Sequence, residues 1–182
     1  MNYNIDWLKT KFNNGESLKY IFFWGHTNNG NEPVGKFVFS QWFPSPFVYQ
    51  GVTYKTAEHW MMAGKARLFN DTEIVEKIIE ANKPGEVKEL GRQIKHFDPV
   101  IWDQHKFNIV KEGNIHKFSQ HASMREYLVH TSDRVLVEAS PVDSIWGIGL
   151  AGDSPNVENP NTWKGLNLLG FALMEVRDAL RK

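Results

Sequence analysis

The segment Thr56 to Phe69, TAEHWMMAGKARLF, constrains the fold of this chain more than any other. Its composition is strongly helix-forming, and Trp60, Met61, Met62, Ala63 and Ala66 make much of a helical circumference apolar. A helix of that kind sits against a core. Within it, Glu58 and Lys65 stand seven residues apart and therefore share a face. At 1.5 Å rise per residue they are roughly 10 Å apart along the axis, too far for an ion pair but suited to opposite ends of a small molecule. Both have ordinary explanations. Thr56 has the chemistry of an N-cap, which puts Glu58 in the first turn, where the helix dipole favours a carboxylate. A lysine at the edge of a core usually snorkels to water. If it is desolvated instead, its pKa falls and the neutral amine can attack a carbonyl or imine-type carbon.

Composition narrows the setting. With 182 residues, 41% of them hydrophobic and 13% aromatic, the chain can build one globular domain spanning 1–182, with residues 1–19 as an N-terminal extension or helix. Lys and Arg number 21 and so do Asp and Glu, so no net field draws the chain to nucleic acid or to an anionic membrane, although a local basic pocket is compatible with that balance. The absence of cysteine removes disulfides, thiolate nucleophiles and cysteine zinc sites. No segment reaches the roughly 18 to 20 apolar residues of a membrane span, and the N-terminus lacks the apolar core of a signal peptide. The expectation is a cytoplasmic protein with no membrane partner; the oligomeric state is left open.

From Tyr20 to Tyr54, YIFFWGH, KFVFSQWF and PFVYQGVTY read as short strands, the last with a Gln50-Gly51 hairpin turn. Helical patterns follow. Asn70 or Asp71 can cap a helix carrying Ile74, Val75, Ile78 and Ile79, and Pro84 can open another through Leu90 and Ile94. Asp98-Pro99 starts a longer one towards Gly113, a further piece runs from Met124 to Val129, and a final helix runs from Leu166 to Leu180. Arg134 to Glu138 reads as a strand feeding a long Gly-, Pro- and Asn-containing loop, Ser140 to Trp163. The fold class expected is α+β: mostly helical, with a few short N-terminal strands and one more before the long loop.

Several chemistries are absent as patterns. His59, His105, His116 and His121 lack metal-ligand spacing, and Glu58-His59 is not continued into HExxH, so neither metal nor cofactor is expected. No GxSxG elbow exists, and Gly147-Ile148-Gly149 is too short for a dinucleotide fingerprint, reading instead as close-packed backbone beside Trp146. Asp143 follows a strand within a glycine-containing loop, a common mount for a functional carboxylate and equally the setting of an Asx turn. Seven tryptophans leave room for one or two to stack on a base beyond those that fill the core. Arg67, Lys88, Arg92 and Lys95 can supply a phosphate contact or simply a solvated helix face.

Taken together, FSQWFPSPF, the hairpin with TAEHWMMAGKARLF, LGRQIKHFDPVIW, HKFSQH, VEASPVDSIWGIGL and WKGLNLLGFALMEVR resemble the NADAR family, with its YbiA-like N-glycosidases, over nearly the whole chain after residue 20. The resemblance implies a compact, largely helical α+β fold and metal-independent hydrolysis of an N-glycosidic bond. Two substrate classes are implied. YbiA-like members cleave ribosylaminopyrimidine phosphates of the riboflavin pathway, and others resemble ADP-ribose hydrolases acting on ADP-ribosylated guanine in DNA or RNA. It also implies site residues: Glu58, Lys65 and Asp143 as catalytic groups, Trp102 against the base, and Arg67, Arg92, Trp146 and Gly149 in substrate binding. Gln41 and Trp42 depart from the family's usual Asn followed by an aromatic such as Phe, a difference bearing on substrate range.

Both substrate classes join ribose C1 to an exocyclic amine. Opening the sugar gives an imine, onto which a lysine can exchange to form a Schiff base that water hydrolyses, with carboxylates moving the protons. Direct displacement by water between two carboxylates is the rival route. From a different class, a non-catalytic ADP-ribose or nucleotide reader would use the same pocket without needing proton-transfer groups.

Overall fold

The computed structural model describes residues 1–28, 30 and 32–181, and shows a mostly helical fold with a few short strands. Its helices are α1 (Ile5–Asn13), α2 (Ala57–Leu68), α3 (Thr72–Glu80), α4 (Pro84–Arg92), α5 (Pro99–Gln120), α6 (Ala122–Val129) and α7 (Leu168–Leu180). The strands are β1 (Tyr20–Phe23), β2 (Phe47–Tyr49), β3 (Val52–Tyr54) and β4 (Val135–Glu138). The chain divides into two compact units, residues 41–122 and, around that insertion, residues 1–40 with 123–182.

Helix α2 is the centre of the inserted unit. It begins where Thr56, in extended backbone, turns its hydroxyl to the His59 N–H at 3.4 Å. The same hydroxyl donates to His59 Nδ1 at 2.8 Å, and Nε2 donates to Ala81 O at 3.1 Å. His59, fully buried, is thus fixed as a neutral tautomer, its pKa lowered by burial. Asp71 caps α3 through the Ile74 N–H and accepts the Lys95 N–H at 2.9 Å. The hairpin pairs Phe47 with Tyr54 and Tyr49 with Val52, and Gln50 and Gly51 both take positive φ at its turn. Helix α5 passes Gly113, where the sequence pattern placed its end, and continues to Gln120. The glycine there is a packing site: a Cβ would stand 2.3 Å from the Trp60 indole.

In the other unit β1 and β4 pair in parallel, Tyr20 opposite Val135 and Phe23 opposite Glu138. The free edge of β4 is met by a side chain. Asn167 is fully buried in left-handed backbone, its Oδ1 accepting the Glu138 N–H and its Nδ2 donating to Leu136 O, both at 2.9 Å. That role delays α7 to Leu168, two residues after the position read from the sequence.

KFVFSQWF, expected as a strand, instead contains a 3-10 turn at Lys36–Phe39. Val38 and Phe39 are consecutive and both fully buried. The turn satisfies them locally, with Val38 N–H on Gly35 O and Ser40 N–H on Phe37 O.

Candidate functional site

Two groups of the expected residues form, one in each unit. In the inserted unit the group is built on α2. Glu58 lies in its first turn and is 3% exposed. Its backbone N–H, one of the donors that a helix start leaves without an intrahelical partner, goes to Gln41 O at 3.0 Å. Gln41 is held in turn by an amide pair with Asn114 of α5, Nε2 to Oδ1 at 3.2 Å and Nδ2 to Oε1 at 3.4 Å. Glu58 is therefore positioned through Gln41 and the α5 side chain that holds it.

Two turns along α2, Lys65 is half-buried. Its Nζ donates to Gly91 O at 2.8 Å and lies 4.2 Å from the centre of the Phe97 ring and 5.8 Å from that of Trp102. Among the described residues it makes no ion pair with a carboxylate. Burial lowers its pKa from the usual lysine value. Gly91 has to be glycine for this contact, since a Cβ would stand 2.1 Å from Met62 Sδ on α2. Close approach of α4 to α2 brings the carbonyl to the amine.

Arg67 and Arg92 lie apart from that amine. Two residues on from Lys65, Arg67 stands about 200° around the helix, where its Nη2 donates to Tyr54 OH at 2.7 Å. Arg92 is exposed and paired with Glu89 on α4. Phe97 and the Gly91 carbonyl had no sequence signal as neighbours of Lys65. Lys117 on α5 was missed as well. It is fully buried, 5.3 Å from the Phe118 ring centre and 5.9 Å from that of Phe43, and burial pushes its pKa down to about 7. Its helical spacing with Val110, Asn114 and Phe118 was the available clue.

In the other unit the long loop leaves β4 and returns through Asp143, Trp146 and Gly149. Asp143 Oδ1 accepts the N–H groups of Ile145 and Trp146, each at 2.8 Å, which is an Asx turn, and its backbone oxygen accepts the Gly149 N–H at 3.1 Å. Gly149, at φ +65°, closes the turn with room for no Cβ, which would meet Lys164 Cβ at 2.9 Å. Cross-links from Lys164 N to Ile148 O and from Asn167 N to Gly147 O make the loop a rigid mount. Asp143 remains partly exposed and Trp146 half-buried.

The profile described as the NADAR domain matches residues 22–181. This chain belongs to the NADAR family. It is similar to N-glycosidase R617 of Acanthamoeba polyphaga mimivirus, 45% identical over 168 residues that cover 90% of this chain and 97% of that protein. N-glycosidase YbiA of Escherichia coli strain K12 is 32% identical over 142 residues, covering 78% of this chain and 80% of that one. Protein irg-1 of Caenorhabditis elegans is 33% identical over 159 residues, 79% of this chain and 75% of its own. The NMR structure of E. coli YbiA matches the fold with a TM-score of 0.70 at 27% identity, covering 90% of this chain and 85% of that one. This NADAR fold thus belongs with N-glycosidase-type chemistry. Among its described residues no group of three or more His, Asp or Glu side chains could hold a metal ion, and no helix is long and apolar enough to cross a membrane.

Proposed function

We propose that this NADAR protein is an N-glycosidase hydrolysing the bond between ribose C1 and an exocyclic amine, with Lys65 as nucleophile. The observation that carries the reading is the Lys65 amine itself. It is half-buried, faces two aromatic rings and has a carbonyl rather than a carboxylate as its hydrogen-bond partner. Desolvation without a counter-charge enlarges the neutral fraction, the form that attacks carbon. The names of the viral and bacterial relatives support the same reaction class.

In the reaction, the C1–O4 bond opens with proton delivery to O4, giving an iminium between C1 and the exocyclic nitrogen. Lys65 Nζ adds to C1, and the exocyclic amine takes a proton and leaves, so that C1 is held as a Schiff base. Water adds to C1, the C1–Nζ bond breaks, and the sugar closes. Glu58 is the group assigned to these proton transfers, and the Trp102 ring is assigned to the leaving base. A ribosylaminopyrimidine phosphate and ADP-ribosylated guanine both present this bond.

Offering each substrate to the protein and weighing the products by mass spectrometry tests the reading. Release of ribose 5-phosphate or free ADP-ribose is expected, together with a borohydride-trapped sugar on Lys65. Turnover by Lys65→Ala at a rate near that of the unaltered chain, with no trapped adduct, would remove the Schiff base and leave direct displacement by water. Binding without release of either product would make the protein a reader instead.

A further inference from the structure

Helix α2 has a second working face. Trp60, Gly64 and Arg67 lie about 180° to 240° around the helix from Glu58, and with Tyr49, Tyr54 and Glu112 they line a cleft of about 360 Å³. Its floor is aromatic. The Trp60 indole is fixed by an Nε1–H bond to Ile109 O at 2.8 Å and stands edge-on to Tyr49 and Tyr54, with ring centres 5.2 and 4.9 Å away. Its rim carries both charges. The exposed Arg67 guanidinium is oriented by Tyr54 OH through one of its five N–H groups, which leaves others to donate. Glu112 is exposed, and the Nε2 of His116 is 4.0 Å from its carboxylate. That nitrogen is buried with no hydrogen-bond partner among the described residues.

A volume of this size is at the small-ligand end of binding sites. Aromatic walls select a planar ring, a guanidinium selects a phosphate, and a carboxylate accepts from an amine. We propose that this cleft binds a nucleotide whose base carries an exocyclic amine, its ring against Tyr49, its amine on Glu112 and its phosphate on Arg67. The site rests on neither Lys65 nor Glu58. The same chemistry is offered by a free nucleotide and by one nucleotide of a single strand.

The test is a ¹H–¹⁵N NMR titration of the full chain with guanosine 5′-monophosphate, inosine 5′-monophosphate, guanosine and a short single-stranded oligonucleotide. Saturable shifts are expected at the Trp60 indole N–H and the Gly64 amide, with inosine 5′-monophosphate and guanosine each binding at least about fivefold more weakly than guanosine 5′-monophosphate. Arg67→Met should weaken guanosine 5′-monophosphate at least about tenfold, and Glu112→Ala should weaken it while leaving inosine 5′-monophosphate unchanged. Lys65→Ala should bind it as the unaltered chain does. Saturation of the same resonances by the oligonucleotide at lower concentration assigns the nucleotide to a nucleic acid, whereas silence with the oligonucleotide assigns it to the free pool. The proposal is overturned if neither probe shifts Trp60 saturably, if the Arg67 and Glu112 variants bind unchanged, or if the shifts vanish in Lys65→Ala. Because this readout is binding, its failure is distinct from any failure of hydrolysis.

Discussion

The amine of Lys65 lies 4.2 Å from the centre of the Phe97 ring, with Gly91 O as its hydrogen-bond acceptor at 2.8 Å. An aromatic face stabilises the ammonium modestly, while burial disfavours it, and burial prevails: the pKa is lowered. A lysine in that balance responds strongly to any new charge beside it.

Phe97 is 42% exposed, so it can be exchanged without emptying the core. Phe97→Glu places a carboxylate against Lys65 and raises the amine's pKa. The acid limb of the pH–rate profile should move up by about one to two pH units, with lower activity at neutral pH and recovery in alkali. An unmoved profile would mean that the limb does not report Lys65.

Glu58 is buried in the first turn of α2, and Glu58→Gln keeps its shape while removing its titration. We expect kcat to fall by about 10²- to 10⁴-fold, with KM and the melting temperature little changed. A loss confined to KM would make Glu58 a binding group rather than a proton carrier.

Lys117 has a folded-state pKa of about 7 against an ordinary 10.5. Below both values the amine is protonated in either state, and the native protein bears the desolvation cost. Between them the unfolded chain binds more protons, so stability rises with pH across that window. Urea unfolding at about pH 7 and about pH 9.5 should show the advantage of Lys117→Met over the unaltered chain shrinking as pH rises. Parallel changes in the two proteins would refute this.

Asn167→Ala strips two buried backbone groups of β4 of their partners, Leu136 O and Glu138 N–H. Leaving such groups unsatisfied should cost about 2 to 4 kcal/mol in denaturant unfolding. A loss under about 0.5 kcal/mol would mean that water replaces both bonds.

Much of this protein was legible because the signals are local. Thr56 and Asp71 announce helix starts through the reach of a short polar side chain to an N–H a turn away, and Gln50-Gly51 announces a hairpin through its positive φ. The ordered motifs around Glu58, Lys65, Trp102 and Asp143 were enough to indicate the family, which the profile match over residues 22–181 shows.

What the tertiary structure alone decided depends on contacts between distant segments. A parallel pairing of β1 with β4 joins residues more than a hundred positions apart, and no local pattern encodes it. The surroundings of Lys65 are Gly91, Phe97 and Trp102, which α4, the connection after it and α5 bring to the amine. Lys117 is fully enclosed only by packing. Sequence set the chemistry of the Glu58 and Lys65 face through helical periodicity. Desolvation of the amine required the packed molecule, because burial is a property of everything that surrounds a residue.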